Sequence, residues 1–72
     1  MRRIGNFLFV QQQFIDAEPN DAIIAIDDIA IVMEQCENNK TFTKIILKSD
    51  NCIRITGEHV DNIIELSKLL NT

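Results

Sequence analysis

A chain of 72 residues, 46% of them hydrophobic and 25% charged, is too apolar to stay disordered and short enough for one domain spanning residues 1–72. Its formal net charge of −4 sets up a field that repels phosphate backbones and anionic lipid, which argues against nucleic acid and membrane surfaces as partners. Trp and Tyr are absent and isoleucine is abundant, so the core is expected to be aliphatic, with phenylalanines at its margins.

Arg2 and Arg3 precede an apolar run, residues 7–10, that Gln11, Gln12 and Gln13 end too early for an export signal. No apolar stretch approaches the roughly 20 residues of a spanning helix. Cys36 and Cys52, without a leader, point to free thiols in a reducing compartment, and a cytoplasmic location is the expectation.

Residues 7–15, rich in Phe, Val and Ile, read as a strand that ends in the breaker cluster at 16–21. Residues 23–26 and 29–36 read as two strands joined by a tight turn at Asp27 and Asp28. A polar loop at 37–40 leads to a strand at 41–48, and residues 49–51 lead to another at 52–56. Residues 58–70 read as a helix with Thr56 as its N-cap, its stripe formed by Val60, Ile63, Ile64, Leu66 and Leu70 and with Leu69 off the stripe. The fold class is therefore α+β. A small antiparallel sheet of four to five strands, a meander or partly closed barrel, is followed by one C-terminal helix.

Register follows from which pairing gathers the aliphatics. A three-residue loop with Asn51 left-handed sets Leu47 opposite Ile53 and Ile45 opposite Ile55. The same reasoning sets Met33 opposite Ile45, Ile31 opposite Leu47 and Glu34 opposite Lys44. The inner face is then Ile29, Ile31, Met33, Ile45, Leu47, Ile53 and Ile55. The reverse face holds Ala30, Val32, Phe42, Ile46 and Cys52 among Lys44, Lys48 and Arg54, too apolar for a plain solvated face. Either residues 7–15 fold over it and close a barrel, or another chain covers it.

Motifs for chemistry are missing. His59 is the only histidine and is expected as an exposed first-turn residue with no nucleophile spaced to it. Asp16, Glu18 and Asp21, with Asp27 and Asp28 beyond, superficially match a calcium loop, but Pro19 sits inside and Asp21 stands where glycine is needed. Two glycines cannot build a phosphate cradle. Neither cysteine has a basic neighbour in sequence to activate it, and both are expected as small apolar fillers. No catalytic residue, metal ligand or cofactor is assigned.

From Ile23 to Leu70 the order of Ile-Ile-Ala-Ile-Asp-Asp-Ile, a strand, a polar loop, Thr-Lys-Ile-Ile-Leu-Lys-Ser-Asp-Asn, a strand and a helix resembles the small FlbD-like flagellar proteins. More distantly it resembles the β-rich LytTR domains, which bind DNA. The resemblance implies no functional residue, and its DNA-binding branch would call for basic residues that this acidic chain lacks.

The expected function is that of a non-enzymatic protein-interaction or regulatory module, homo-oligomeric, acting through Val32, Phe42, Ile46 and Leu69 or through an exposed strand edge such as residues 7–10, with a protein partner or itself as ligand. A second reading is nucleic-acid binding through Arg2, Arg3, Lys44, Lys48 and Arg54. A third is a small-molecule or metal site in a barrel or between subunits.

Overall fold

A computed structural model describes residues 1–14 and 17–71. Among them, six strands form one antiparallel sheet, β1 (Arg2–Ile4), β2 (Phe7–Gln12), β3 (Asn20–Ala25), β4 (Ile29–Glu37), β5 (Lys40–Leu47) and β6 (Cys52–Ile55), followed by one helix, α1 (His59–Leu70). The α+β class stands, with the sheet open rather than closed into a barrel. Ile15 and Asp16, expected as a strand end and a loop carboxylate, lie outside the described residues.

β2 organises one half. Both β1 and β3 pair with its residues 7–9, so they occupy opposite edges. β6 pairs with Gln12 on the β1 side, reinforced by hydrogen bonds from the Gln13 amide to the Arg54 carbonyl at 2.8 Å and from the Thr56 amide to the Gln11 carbonyl at 3.0 Å. The N-terminal strand thus extends the sheet edgewise and does not fold over its reverse face. β1 itself is absent from the sequence reading, although Gly5-Asn6 between apolar residues is a hairpin signal. Gly5 takes φ 58°, which fits a type II′ turn.

The loop between β3 and β4 is the tight turn expected at Asp27 and Asp28, a single 3-10 turn over Ile26–Asp28. It is tied to the first hairpin by Asn6, whose carbonyl accepts from the Ile26 amide and whose side chain donates to Asp27 Oδ2 at 2.7 Å. The Lys48 amide donates to the Asp28 carbonyl from the other side, at 2.7 Å.

The hairpin of β4 and β5 departs from expectation. Asn38 and Asn39 both have positive φ, 53° and 63°, and make a two-residue type I′ turn flanked by Glu37 and Lys40. That register pairs Val32 with Ile45, Met33 with Lys44 and Glu34 with Thr43. It is one residue away from the expected pairing, and a one-residue slip sends each side chain to the other face. Val32 therefore packs against the core, while Ile31 and Met33, expected inside, stand 52% and 43% exposed on the reverse face. A bulge between Ile29 and Ile31 returns Ile29 to the core side.

The β5–β6 loop has the expected length of three residues, but its left-handed member is Asp50, at φ 70°, not Asn51. Ile45 pairs with Ile53 and Thr43 with Ile55, two residues from the expected register. A shift of two preserves the faces, so Ile45, Leu47, Ile53 and Ile55 all turn to the core. Leu8, Val10, Ile24, Ile45, Ile55 and Leu66 are its buried members, and the phenylalanines sit outside it, as the composition predicts.

The register and core give a test by chemical denaturation. Asn39→Val, which puts a β-branched residue into left-handed backbone, should cost about 1–2 kcal/mol, and Asn39→Gly should cost nothing or stabilise. Ile45→Ala, in the same experiment, should cost about 2–5 kcal/mol.

Candidate protein-contact surface

The helix decides which sheet face is covered. Its core-facing side chains are Asn62, Ile63, Leu66, Leu69 and Leu70, while Val60 and Ile64, expected on the buried stripe, are 66% and 51% exposed. Leu69, expected as a free apolar contact, packs against the core, and its carbonyl accepts from Arg3 Nη1 at 2.9 Å. The rotation of the stripe has a polar cause. Asn62, 6% exposed, donates through Nδ2 to Thr43 Oγ1 at 3.1 Å and to the Thr56 carbonyl at 3.0 Å. A hydrophobic periodicity cannot register an asparagine that is buried because its partners are buried with it. The helix begins after Glu58 as its cap residue, and Thr56 does not serve as the N-cap.

His59 belongs to the same network and is not the exposed residue expected from sequence. Its side chain is 14% exposed, with Nδ1 2.8 Å from Thr43 Oγ1 and Nε2 3.9 Å from Glu34 Oε2. Asn62 must present its amide nitrogen, since the Thr56 carbonyl can only accept. Thr43 Oγ1, accepting from Asn62, has no acceptor other than His59 Nδ1 among the described residues. The hydroxyl therefore donates to Nδ1, and the neutral imidazole carries its proton on Nε2, toward Glu34. Glu34, His59 and Thr43 have the order of an acid, a base and a nucleophile. Thr43 is fully buried, however, and leaves no position for a reacting atom beside its hydroxyl. The network joins α1 to β5 through Thr43.

With the helix side closed, the surface left over is the reverse face. On its N-terminal half Ile4 stands directly across from Phe7, and Phe9 across from Ile23. Cross-strand neighbours on one face touch, so these four make a continuous apolar patch. Ile4 and Phe7 are each half exposed and Ile23 is 62% exposed. Arg2, opposite Phe9, lies with its guanidinium carbon 5.6 Å from that ring's centroid. The exposed edge expected at residues 7–10 is instead paired, by β1 over residues 7–9 and by β3 over residues 7–12, so Phe7 and Phe9 offer a face and not an edge. Ile4 and Ile23 were not foreseen as contact residues, because β1 and its pairing were not.

The other half of this face holds Phe42, Ile46, Lys44, Cys52 and Arg54 as expected, joined by Ile31 and Met33 in place of Val32. Arg54 covers Phe42 at 4.6 Å from the ring centroid while its Nη2 holds Glu37 Oε2 at 2.8 Å, so Phe42 is half-buried by its own chain. Ile46 is also half-buried. Of the expected contact residues, two are therefore on the core side, Val32 and Leu69, and two are on the reverse face and partly covered, Phe42 and Ile46.

The five basic residues of the nucleic-acid reading do not converge. Lys44 and Arg54 are cross-strand neighbours, on a shallow cleft of about 580 Å³ that Gln12, Gln13 and Phe14 line from the opposite side. Arg2 is on β1, Lys48 is in the β5–β6 loop, and Arg3 is held by the Gly5 and Leu69 carbonyls. Among the described residues no cluster of His, Cys, Asp or Glu has metal-binding geometry, and no helix is long and apolar enough to cross a membrane. Cys36 and Cys52 are free thiols and exposed, contrary to their expected place as apolar fillers. No family model, no curated protein and no solved structure matches the chain.

The polar pin is testable by mutation and by nitrogen NMR. Thr43→Val should cost about 1–3 kcal/mol by stranding His59 Nδ1 and one Asn62 donor, and a cycle with Asn62→Ala should show coupling of about 0.5 kcal/mol or more. Long-range proton–nitrogen spectra of the neutral ring should show the Nε2–H tautomer of His59.

Proposed function

We propose that the domain works by contact with other protein chains and performs no chemistry of its own. The observation that carries this reading is the patch of Ile4, Phe7, Phe9 and Ile23, a row of large apolar side chains on a sheet face left open except where the Arg2 guanidinium lies over Phe9. Three of these side chains are half or more exposed in a domain with few large residues to spare. A contiguous apolar area of this kind on a small protein marks an interaction site. Its makeup suits a hot spot, with aromatic side chains at the centre and Arg2 at the rim. The arrangement of the polar groups supports the same conclusion, since the one histidine and its neighbours are consumed in fastening the helix.

A contact surface can be disabled without unfolding the protein. Phe7→Lys combined with Ile23→Lys should shift the denaturation midpoint less than a core substitution does, because both side chains are already half or more exposed. The same pair should abolish complexes trapped by cross-linking through a photoreactive residue at position 4 in the native host. Complexes that survive the double substitution unchanged would place the contact elsewhere and remove the basis of this reading.

A further inference from the structure

The edges of the sheet are defended unequally. β1 is three residues long, and β3 carries Asp21 and follows Pro19. Shortness, charge and proline all discourage pairing with another chain. β4 runs nine residues with no basic residue or proline, and its first five positions are uncharged. It ends the strand order, with β5 on one side only. Because Glu37 and Lys40 flank a two-residue turn, they exchange backbone hydrogen bonds, and so in alternation do Gln35, Met33 and Ile31 with β5. The peptide groups of Val32 and Glu34 therefore point to the open edge.

The helix continues this edge. Val32 lines a groove of about 270 Å³ with Ile63, Leu66, Ser67 and Leu70. Val60, Ile63 and Ser67 fall in one row at helical spacing, and Ile64 lies next to it, so the exposed Val60 and Ile64 flank the groove on its solvent side. The groove itself is lined by uncharged side chains; Glu34, 3.9 Å from His59 Nε2, lies on the strand beside it, and Asp61 and Lys68, of opposite sign, border Ile64 on the helix. Two copies of a chain with net charge −4 repel each other least where they meet on a surface of low net charge, and this flank, with an apolar groove bordered by charges of both signs, is one.

We infer that β4 is a homodimer edge, pairing antiparallel with β4 of a second copy about a two-fold axis at Met33. The register follows by elimination. Centring on Val32 would draw the bulge at Ala30 into the ladder, and centring on Glu34 would set two glutamates directly opposite each other. Centring on Met33 uses residues 31–35, all beyond the bulge. It joins Val32 to the second copy's Glu34 by hydrogen bonds and sets Met33 against its own counterpart. The two helices then lie side by side on one face, with Val60 and Ile64 between them. This interface goes beyond the contact patch and uses a different surface, so either can fail alone.

The inferred interface is smaller than the standard size of about 20–30 residues a side, so association should be weak, with dissociation in the micromolar range. Sedimentation velocity should show a dimer at about 100 µM that dissociates on dilution. Ile64→Lys should weaken it by about tenfold or more. In a Cys36→Ser, Cys52→Ser background, Met33→Cys should form a disulfide-linked dimer on mild oxidation, because the two positions are directly opposed. Ile31→Cys, four residues out of register with its own counterpart, should not. Phe7→Lys with Ile23→Lys should leave the dimer intact. A strict monomer at about 100 µM, or a dimer that links through Ile31→Cys and not through Met33→Cys, overturns the inference without touching the contact patch.

Discussion

Two left-handed asparagines set the surface chemistry of this domain. With Asn38 and Asn39 both at positive φ, the chain reverses in two residues, and β4 meets β5 in a single parity. The parity is the constraint, because a strand has only two faces. Val32 joins Ile45 beneath the helix, and Ile31 and Met33 face away from it. By apolar burial alone the other parity looks better, since it would turn two large side chains inward in exchange for one. A fully buried side chain of that size is worth about 1.5–3 kcal/mol. The gain is not available at β4, however, because α1 lies over β5 and the outermost strand is only partly beneath it. Turn geometry can therefore prevail, at the cost of leaving apolar side chains in solvent.

A second constraint acts on the helix. An amphipathic helix packed by hydrophobic contact alone would centre Ile63 and Leu70 on the sheet and turn Val60 and Ile64 toward it. Asn62 anchors it elsewhere, through Thr43 and the Thr56 carbonyl. Gly57, at φ 92°, supplies the left-handed backbone that leads into the helix, a conformation any side chain would strain. A buried hydrogen-bonded group cannot slide as an apolar contact can, because a small rotation would strand donors away from water. The pin thus selects one rotation of α1, and that rotation exposes Val60 and Ile64. The apolar surface on the reverse face and the apolar flank of the helix share a cause: local geometry outranked maximal burial in each.

How far the sequence was legible follows the same division. Strand and helix types came through for residues 23–70, since apolar period and breaker residues report local conformation directly. The part of the aliphatic core on β5 and β6 was legible too, because the β5–β6 register erred by two residues, which no face can detect; Leu8, Val10 and Ile24 were not, since nothing local says which face of β2 and β3 turns inward. The β4 register erred by one, and that moved Val32, Ile31 and Met33. Asn38-Asn39 is a type I′ signal, but the pairing that gathers the most aliphatics on one face points to the other register. Leu69 was misplaced and His59 taken as exposed because a polar network between Thr43 and the helix has no periodicity to display. The N-terminal patch was legible only as an exposed edge at residues 7–10, and for a simpler reason: Arg2-Arg3-Ile4 is too short and too charged to read as a strand until β2 supplies its partner.

The two proposed surfaces lie at opposite ends of the strand order. Pairing through β4 would leave both copies of the N-terminal patch at the far edges of one continuous sheet, facing the same way because a two-fold axis perpendicular to a sheet preserves its faces. Each patch alone offers four large side chains, which is little area for a stable complex. Two patches on one rigid body change that arithmetic. Once one is bound, the second meets its site at an effective concentration set by geometry, and avidity can exceed either affinity by about 10²–10⁴ where the spacing matches. A domain too small to build one strong interface can reach a strong one by doubling a weak one, provided that its partner is itself repeated.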